Sequence, residues 1–302
     1  MEKQPESRTE WTILKLLNWT SNYFKSHNID SPRSAAEILL AHALKISRID
    51  LYLRYDQPLL SEELAEFKKL IKRRINREPV AYIVGIKEFW SMDFNVTKDV
   101  LIPRPDTESL VEAAITEISH RSAKTEDTQH PLRILDAGAG SGAIILAVAA
   151  NNPDHAYFAI DTSFKALRIA RKNAAHHNLD RKVRFFCGNW LTSLNPAVPL
   201  FDLILSNPPY IPTDTISGLM PEISKYEPKS ALDGGSNGLE SFSQIICNAH
   251  KHLKPHGAVI LEIGHNQKEQ VRKIIVDSAH YKDIMFIKDY SGHDRVVKIR
   301  LK

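Results

Sequence analysis

Cysteine is nearly absent from this chain of 302 residues, with only Cys187 and Cys247 present. Two thiols cannot build a disulfide framework or a cysteine zinc cluster, so the fold must rest on an apolar core, and a reducing compartment is expected. Long apolar runs are missing too, since no window reaches the ~18 consecutive apolar residues of a membrane span. The opening stretch MEKQPESRTEWTILK alternates charges and has neither the apolar centre of a secretory signal nor the acid-poor, Arg-rich character of a transit peptide. A cytoplasmic location is therefore expected. Charge of one sign is also scarce: Lys+Arg 40 against Asp+Glu 36 leaves +4, too small a surplus to argue by itself for a nucleic-acid partner. The histidines, among them His176-His177, His265 and His293, form no metal-ligand set, and no metal is expected.

What is there is 43% hydrophobic, enough for a substantial core, and the length suggests two domains. From Trp11 to Arg77 apolar residues recur at helical spacing: Leu14 and Leu17, then Ala35, Ile38, Leu39 and Ala43, then Leu64, Phe67, Leu70 and Ile71. Ser31-Pro32 and Ser61-Glu62-Glu63 supply helix starts. Between Val80 and Val100, aromatic residues among turn formers predict a hairpin. A helix over about Thr107–Ile118 follows, and 120–130 reads as a polar loop. Beyond Pro131, strands alternate with helices, which predicts βαβ units and a parallel sheet. The strands fall at Arg133–Ala137, Ala156–Ile160, Val183–Cys187, Phe201–Leu205 and Ala258–Ile263, and the helices at Ala143–Asn151, Phe164–His177 and Leu239–Leu253. A closing hairpin of Ile284–Lys288 and Arg295–Leu301 suits an antiparallel strand inserted near the end of the sheet. The expected division is a helical domain over 1–80, a hairpin linker over 81–104 and a catalytic α/β domain over 105–302.

Two loops carry chemistry. Asp136-Ala137-Gly138-Ala139-Gly140-Ser141-Gly142 runs from a strand into an apolar helix, where glycines let a ligand approach the backbone at a helix N-terminus. Gly138, Gly140 and Ala143 also satisfy the dinucleotide fingerprint, so the loop alone does not name its ligand. Asp161, at the end of the next strand, can accept from both hydroxyls of a ribose, which favours an adenosine-containing cofactor; it can equally cap the helix beginning near Phe164.

The second loop, Ser206-Asn207-Pro208-Pro209-Tyr210, ends the strand FDLIL. Consecutive prolines remove two N–H donors and fix φ, leaving rigid carbonyls free to accept. The Asn207 side-chain oxygen and the Pro208 carbonyl together can take both hydrogens of a planar –NH2 group, with the Tyr210 ring covering it. That set suits methylation of a nitrogen whose lone pair is delocalised into a carbonyl or an aromatic ring. No strong base accompanies it.

These residues resemble the release-factor glutamine N5-methyltransferases, the PrmC/HemK family of S-adenosylmethionine-dependent, Rossmann-like methyltransferases. The similarity extends nearly end to end, through Glu78–Ile83, Glu88–Trp90, Leu101–Glu108 (LIPRPDTE), the glycine loop, Ser206–Ile211, Tyr226–Pro228 with Ala231–Gly235, Leu261–Gly264 and Asp294–Val297. The resemblance implies a Rossmann-like α/β sheet with a small N-terminal helical bundle that contacts the substrate protein. It implies S-adenosyl-L-methionine held by Gly138, Ala139, Gly140, Ser141 and Gly142 at its methionine end, by Asp161 at the ribose and by Trp190 beside the adenine, with Asn207 close by. It further implies the substrate glutamine of a Gly-Gly-Gln tripeptide in peptide-chain release factors, held by Asn207, Pro208, Pro209 and Tyr210, with Arg104 and Thr107 in a segment closing over the site. Asn207, Pro208 and Tyr210 carry the catalytic role. Ala139 and Asn237 depart from the usual Thr and Asp. Lys68, Lys69, Lys72, Arg73, Arg74 and Arg77 form a basic cluster that either meets an acidic partner surface or is a solvated helix face.

Rival readings are a nucleic-acid adenine-N6 methyltransferase, which faces the same lone-pair problem and would extrude its base, a non-catalytic adenosyl-binding interaction protein, and an NAD-dependent oxidoreductase. The small charge surplus and the LIPRPDTE and YEPKSALDGG segments oppose the first, the intact Asn-Pro-Pro-Tyr opposes the second, and the third lacks any recognisable hydride-transfer site.

Overall fold

The computed structural model describes residues 11–124, 130–197 and 199–302. They divide into two compact units, one holding the described residues up to Gly85 together with Pro221–Tyr226, the other holding Ile86–Met220 and Glu227–Lys302.

The first unit is helical: α1 (Ile13–Ser26), α2 (Pro32–Leu44), α3 (Asp50–Leu53), α4 (Ser61–Ile75) and α5 (Val80–Val84). Thr12 caps α1 by accepting from Lys15 N, and Pro32 opens α2, where its missing N–H costs nothing. The Glu63 carboxylate folds back to accept from Leu60 N at 2.8 Å, fixing the start of α4. Leu17, Phe24, Leu39, Leu40 and Phe67 close into one buried core, the spacing expected of amphipathic helices. The segment 221–226 joins this unit through Glu222, which lies 2.9 Å from both the Arg74 and the Arg77 guanidinium, and through the Tyr226 hydroxyl donating to Asn76 O at 2.7 Å.

The second unit opens with a hairpin of β1 (Ile86–Phe89) and β2 (Met92–Asn95). Its two-residue turn puts Trp90 and Ser91 at φ +53° and +55°, the left-handed geometry such turns demand. The stretch expected to link the domains is thus split. Val80–Val84 is helical and belongs to the first unit, while Phe89 and Phe94 are buried in the second unit's core. After the turn Pro105–Thr107, α6 (Glu108–Lys124) runs longer than expected, taking in 120–124 of the stretch read as loop; residues 125–129 lie outside the described residues.

Then come β3 (Arg133–Ala137), α7 (Ala143–Asn151), β4 (Ala156–Asp161), α8 (Phe164–His176), β5 (Val183–Cys187), β6 (Phe201–Ser206), the first unit's α9 (Pro221–Ser224), α10 (Glu240–Ala249), β7 (Leu253–Glu262), α11 (Lys268–Ser278), β8 (Tyr281–Lys288) and β9 (Asp294–Leu301). The sheet order is β5-β4-β3-β6-β7-β9-β8, parallel through β7, with β9 antiparallel between β7 and β8. Both faces are covered. Ile134, Leu203, Leu205 and Ile260 pack with α6 and α7, whereas Leu135, Ile204, Val259 and Leu261 pack with α10 and α11, the alternation a two-sided strand requires. No helix among the described residues is long and apolar enough to cross a membrane.

Candidate active site

Strand order reverses between β3 and β6, which pair directly, Asp136 opposite Leu205. The two loops singled out in the sequence therefore leave the sheet side by side at the carboxyl ends of adjacent strands, where open α/β sheets bind ligands. The Ser206 hydroxyl ties them, donating to Ala137 O at 2.5 Å.

In the glycine loop Gly138, Gly140 and Gly142 adopt φ +86°, +55° and +82°, a region other residues enter only with strain. A Cβ on Gly138 would come within 3.0 Å of the Trp190 ring. Most of the loop's amides are used internally: Gly138 and Ala139 donate to Ile160 O, Gly142 to Ala139 O, and Gly140 to Asp161 Oδ2 at 2.8 Å. A cradle of several free N–H groups is accordingly not what this loop offers at the helix N-terminus.

Two carboxyls accompany it. Asp136 is fully buried with neither oxygen hydrogen-bonded, and burial together with the nearby Asp161 pushes it up to about 7. Asp161 is raised by burial and held down by the amides of Ser163 and Gly140. It does not cap α8, since the Ser163 hydroxyl does so by accepting from Ala166 N. One Asp161 oxygen takes Gly140 N and the other Ser163 N, each at 2.8 Å, leaving further lone pairs to accept hydroxyl hydrogens. A glycine loop with its amides spent and two acids close by suits a cationic, hydroxyl-bearing ligand better than a pyrophosphate.

The cleft above these loops is lined by Gly138–Ser141, Asp161, Trp190, Asn207, Pro209, Arg104 and Thr107. Of the residues expected at the site, Gly142 caps α7 and does not line the cleft, and Pro208 is buried and does not line it either. The Tyr210 ring is half-buried against the core under α10 and α11, with its hydroxyl 3.4 Å from Glu262. The cleft also recruits Asp99–Leu101, Thr162, Ser163, Ala166 and Ser230-Ala231, which no spacing in the sequence marks. Arg104 pairs with Glu227 at 2.5 Å, and burial raises Glu227 against the pull of that guanidinium.

Backbone packing fixes the Asn-Pro-Pro-Tyr loop. Ile211 exchanges hydrogen bonds with Leu232 and Gly234, and a Cβ on Gly238 would lie 2.4 Å from Tyr210 O. The Gln267 amide donates to both Tyr210 O and Gly238 O. The close glycines of Leu232–Leu239 thus seat the loop. Asn237 Oδ1 accepts from Leu239 N at 3.0 Å, a task for which an Asp carboxylate is equally equipped, so its departure from the usual residue leaves this turn intact. In the first unit, Lys69 pairs with Glu66, Arg73 with Glu78, and Arg74 and Arg77 with Glu222. Much of the basic cluster is therefore neutralised within the unit.

The chain is similar to known proteins over both units. A family model described as the PrmC N-terminal domain matches residues 15–85, and one described as a methyltransferase domain matches residues 129–298. A release factor glutamine methyltransferase of Geobacter sulfurreducens is 40% identical over 100% of both chains. One of Thermodesulfovibrio yellowstonii is 41% identical over 88% of this chain and 91% of its own. Among solved structures, the hMettl16 catalytic domain in complex with the MAT2A 3'UTR hairpin 1 aligns over 82% of this chain and 84% of its own with a TM-score of 0.54 at 13% identity, a likeness of fold.

Proposed function

The chain belongs to the release factor glutamine methyltransferase family, and on that premise we propose that it transfers a methyl group from S-adenosyl-L-methionine to the side-chain amide nitrogen of the glutamine in the Gly-Gly-Gln motif of peptide-chain release factors, in the cytoplasm. The observation that carries the reading is the emergence of Asn207–Tyr210 beside a glycine loop flanked by two carboxyls. The cofactor, when bound, supplies an electrophilic methyl on a positively charged sulfur.

The protein's own contribution starts with the amide nitrogen, a poor nucleophile because its lone pair is delocalised into the carbonyl. Asn207 Oδ1 and the Pro208 carbonyl accept its two hydrogens, hold the lone pair in line with the methyl and stabilise the charge that grows on nitrogen. This nitrogen would take the methyl from the bound cofactor, which leaves as a neutral thioether, and the amide proton released would pass to water, since no strong base accompanies the loop. Gly138–Ser141 would give the methionine end close approach, Asp161 would take the ribose hydroxyls, and Trp190 would border the adenine. Asp161, which lines the cleft, favours a cation at this end of it, and a bound cation would draw Asp136 toward its ionised form.

The helical domain, 1–80, is the recognition module. Exposed Ile49, Tyr52, Leu53 and Tyr55 give it an apolar surface suited to a protein partner, and its paired basic residues play the smaller part. Adenine-N6 transfer poses the same chemical problem, but the full-length relatives are named for release factor glutamine. The test offers labelled cofactor with a release factor and with the same factor carrying Glu for the Gln of Gly-Gly-Gln. Label is expected on the first alone, and equal labelling of both would refute the assignment.

A further inference from the structure

Behind the Asn-Pro-Pro-Tyr loop lies a carboxyl that the mechanism above leaves unused. Glu262 is the last residue of β7, beside the end of β6, and is 1% exposed. Its Oε1 accepts from the Tyr210 hydroxyl at 3.4 Å, while Oε2 has no hydrogen-bond partner. The Thr107 hydroxyl also interacts with this carboxyl, and Thr107 Oγ1 in turn accepts from Asn207 Nδ2 at 3.2 Å. Arg295 is the nearby cation, but its ion pairs are made with Asp106 and Asp289, each at 3.1 Å. Burying a carboxyl with an unpaired oxygen is costly, and packing alone would be better served by an apolar side chain. Burial pushes Glu262 up to about 7, with Thr107, Arg295 and Tyr210 pulling it down and Asp106 pushing it further up.

A hydroxyl has one hydrogen to give. Aimed at the carboxylate, it leaves the Thr107 oxygen able only to accept, and the neighbouring Asn207 amide must then present nitrogen to Thr107 and oxygen to the cleft. In its ionised form this carboxyl is acceptor-only and enforces this direction. We infer that Glu262 is a positioning residue that acts through Thr107 to fix which end of the Asn207 carboxamide faces the substrate nitrogen, and that anchors the Tyr210 hydroxyl at the same time. This deepens the function proposed above and rests on it.

The experiment uses the full-length protein with an intact release factor. Glu262→Gln keeps size and shape but brings a competing donor, so kcat falls by roughly tenfold or more, the scale of one charge-assisted hydrogen bond, while the cofactor Kd stays within about twofold of wild type. Thr107→Val falls comparably, Thr107→Ser restores turnover, and the double variant Thr107→Val/Glu262→Gln loses less than the product of the two single losses. Independently of turnover, hydrogen exchange of the Asn207 side-chain amide, followed by NMR, quickens in Glu262→Gln. Unchanged exchange, or unchanged kcat in a Glu262→Gln variant of an active enzyme, overturns the positioning role. Wild-type protein that labels no release factor overturns the functional reading instead, and the exchange measurement still decides the role of Glu262.

Discussion

In the proposed reaction a neutral carboxamide would do its work by orientation alone. Asn207 has no charge to lend and no proton to remove; its value to the reaction is an oxygen held at one point with its nitrogen tied back to Thr107. Asn207→Ala should therefore lower turnover by about 10²–10³, the effect of losing one oriented transition-state partner, with cofactor affinity measured by calorimetry little changed. Undiminished kcat in that variant would remove the acceptor role. The residue itself was legible in the sequence, because Asn followed by two prolines at a strand end has few other uses. Its support was legible only in part: Thr107 falls in the segment that the resemblance places over the site, whereas Glu262 stands far along the chain and only the pairing of β6 with β7 brings the end of one strand beside the other. Asp161 lines the cleft, but the amides it accepts depend on a loop geometry that residue types alone do not specify.

Among the elements, the segment Leu232–Leu239 does more for the site than its length suggests. Its glycines let backbone lie against Pro209 and Tyr210 at distances no side chain permits. Gly238→Ala adds a Cβ 2.4 Å from Tyr210 O at a residue with φ +73°. The variant should lose about 1–3 kcal/mol in urea denaturation from backbone strain alone, and lose turnover as the loop shifts. Gly218→Ala, which would meet nothing within 4 Å, is the matched control and should leave both unchanged. Parallel strands with both faces covered read as short apolar runs, so β3 and β5 match their expected limits. Helix α11 went unread because KEQVRKIIVDS buries only Val271 and Ile275 amid charged residues, too thin a stripe to register as periodic. Val80–Val84 looked like strand because its β-branched and aromatic residues favour one, yet Pro79 before it and Gly85 after it bound a single helical turn.

At the scale of the whole molecule, a small charge surplus and two compact units fit the proposal of an enzyme that acts on another protein. Ion pairs within the first unit occupy most of its basic cluster, and apolar side chains stand exposed on the same unit. Such a surface should dock a folded protein with little dependence on salt, unlike one that tracks a phosphate backbone. The methylating half carries a loop suited to both glutamine amides and adenine amines, so the choice between them is a property of the full chain. The measurement that decides it offers a release factor and DNA in parallel to the purified protein with labelled S-adenosylmethionine. The account predicts label on the Gly-Gly-Gln glutamine of the factor and none on DNA; label on adenine with none on the factor would contradict it.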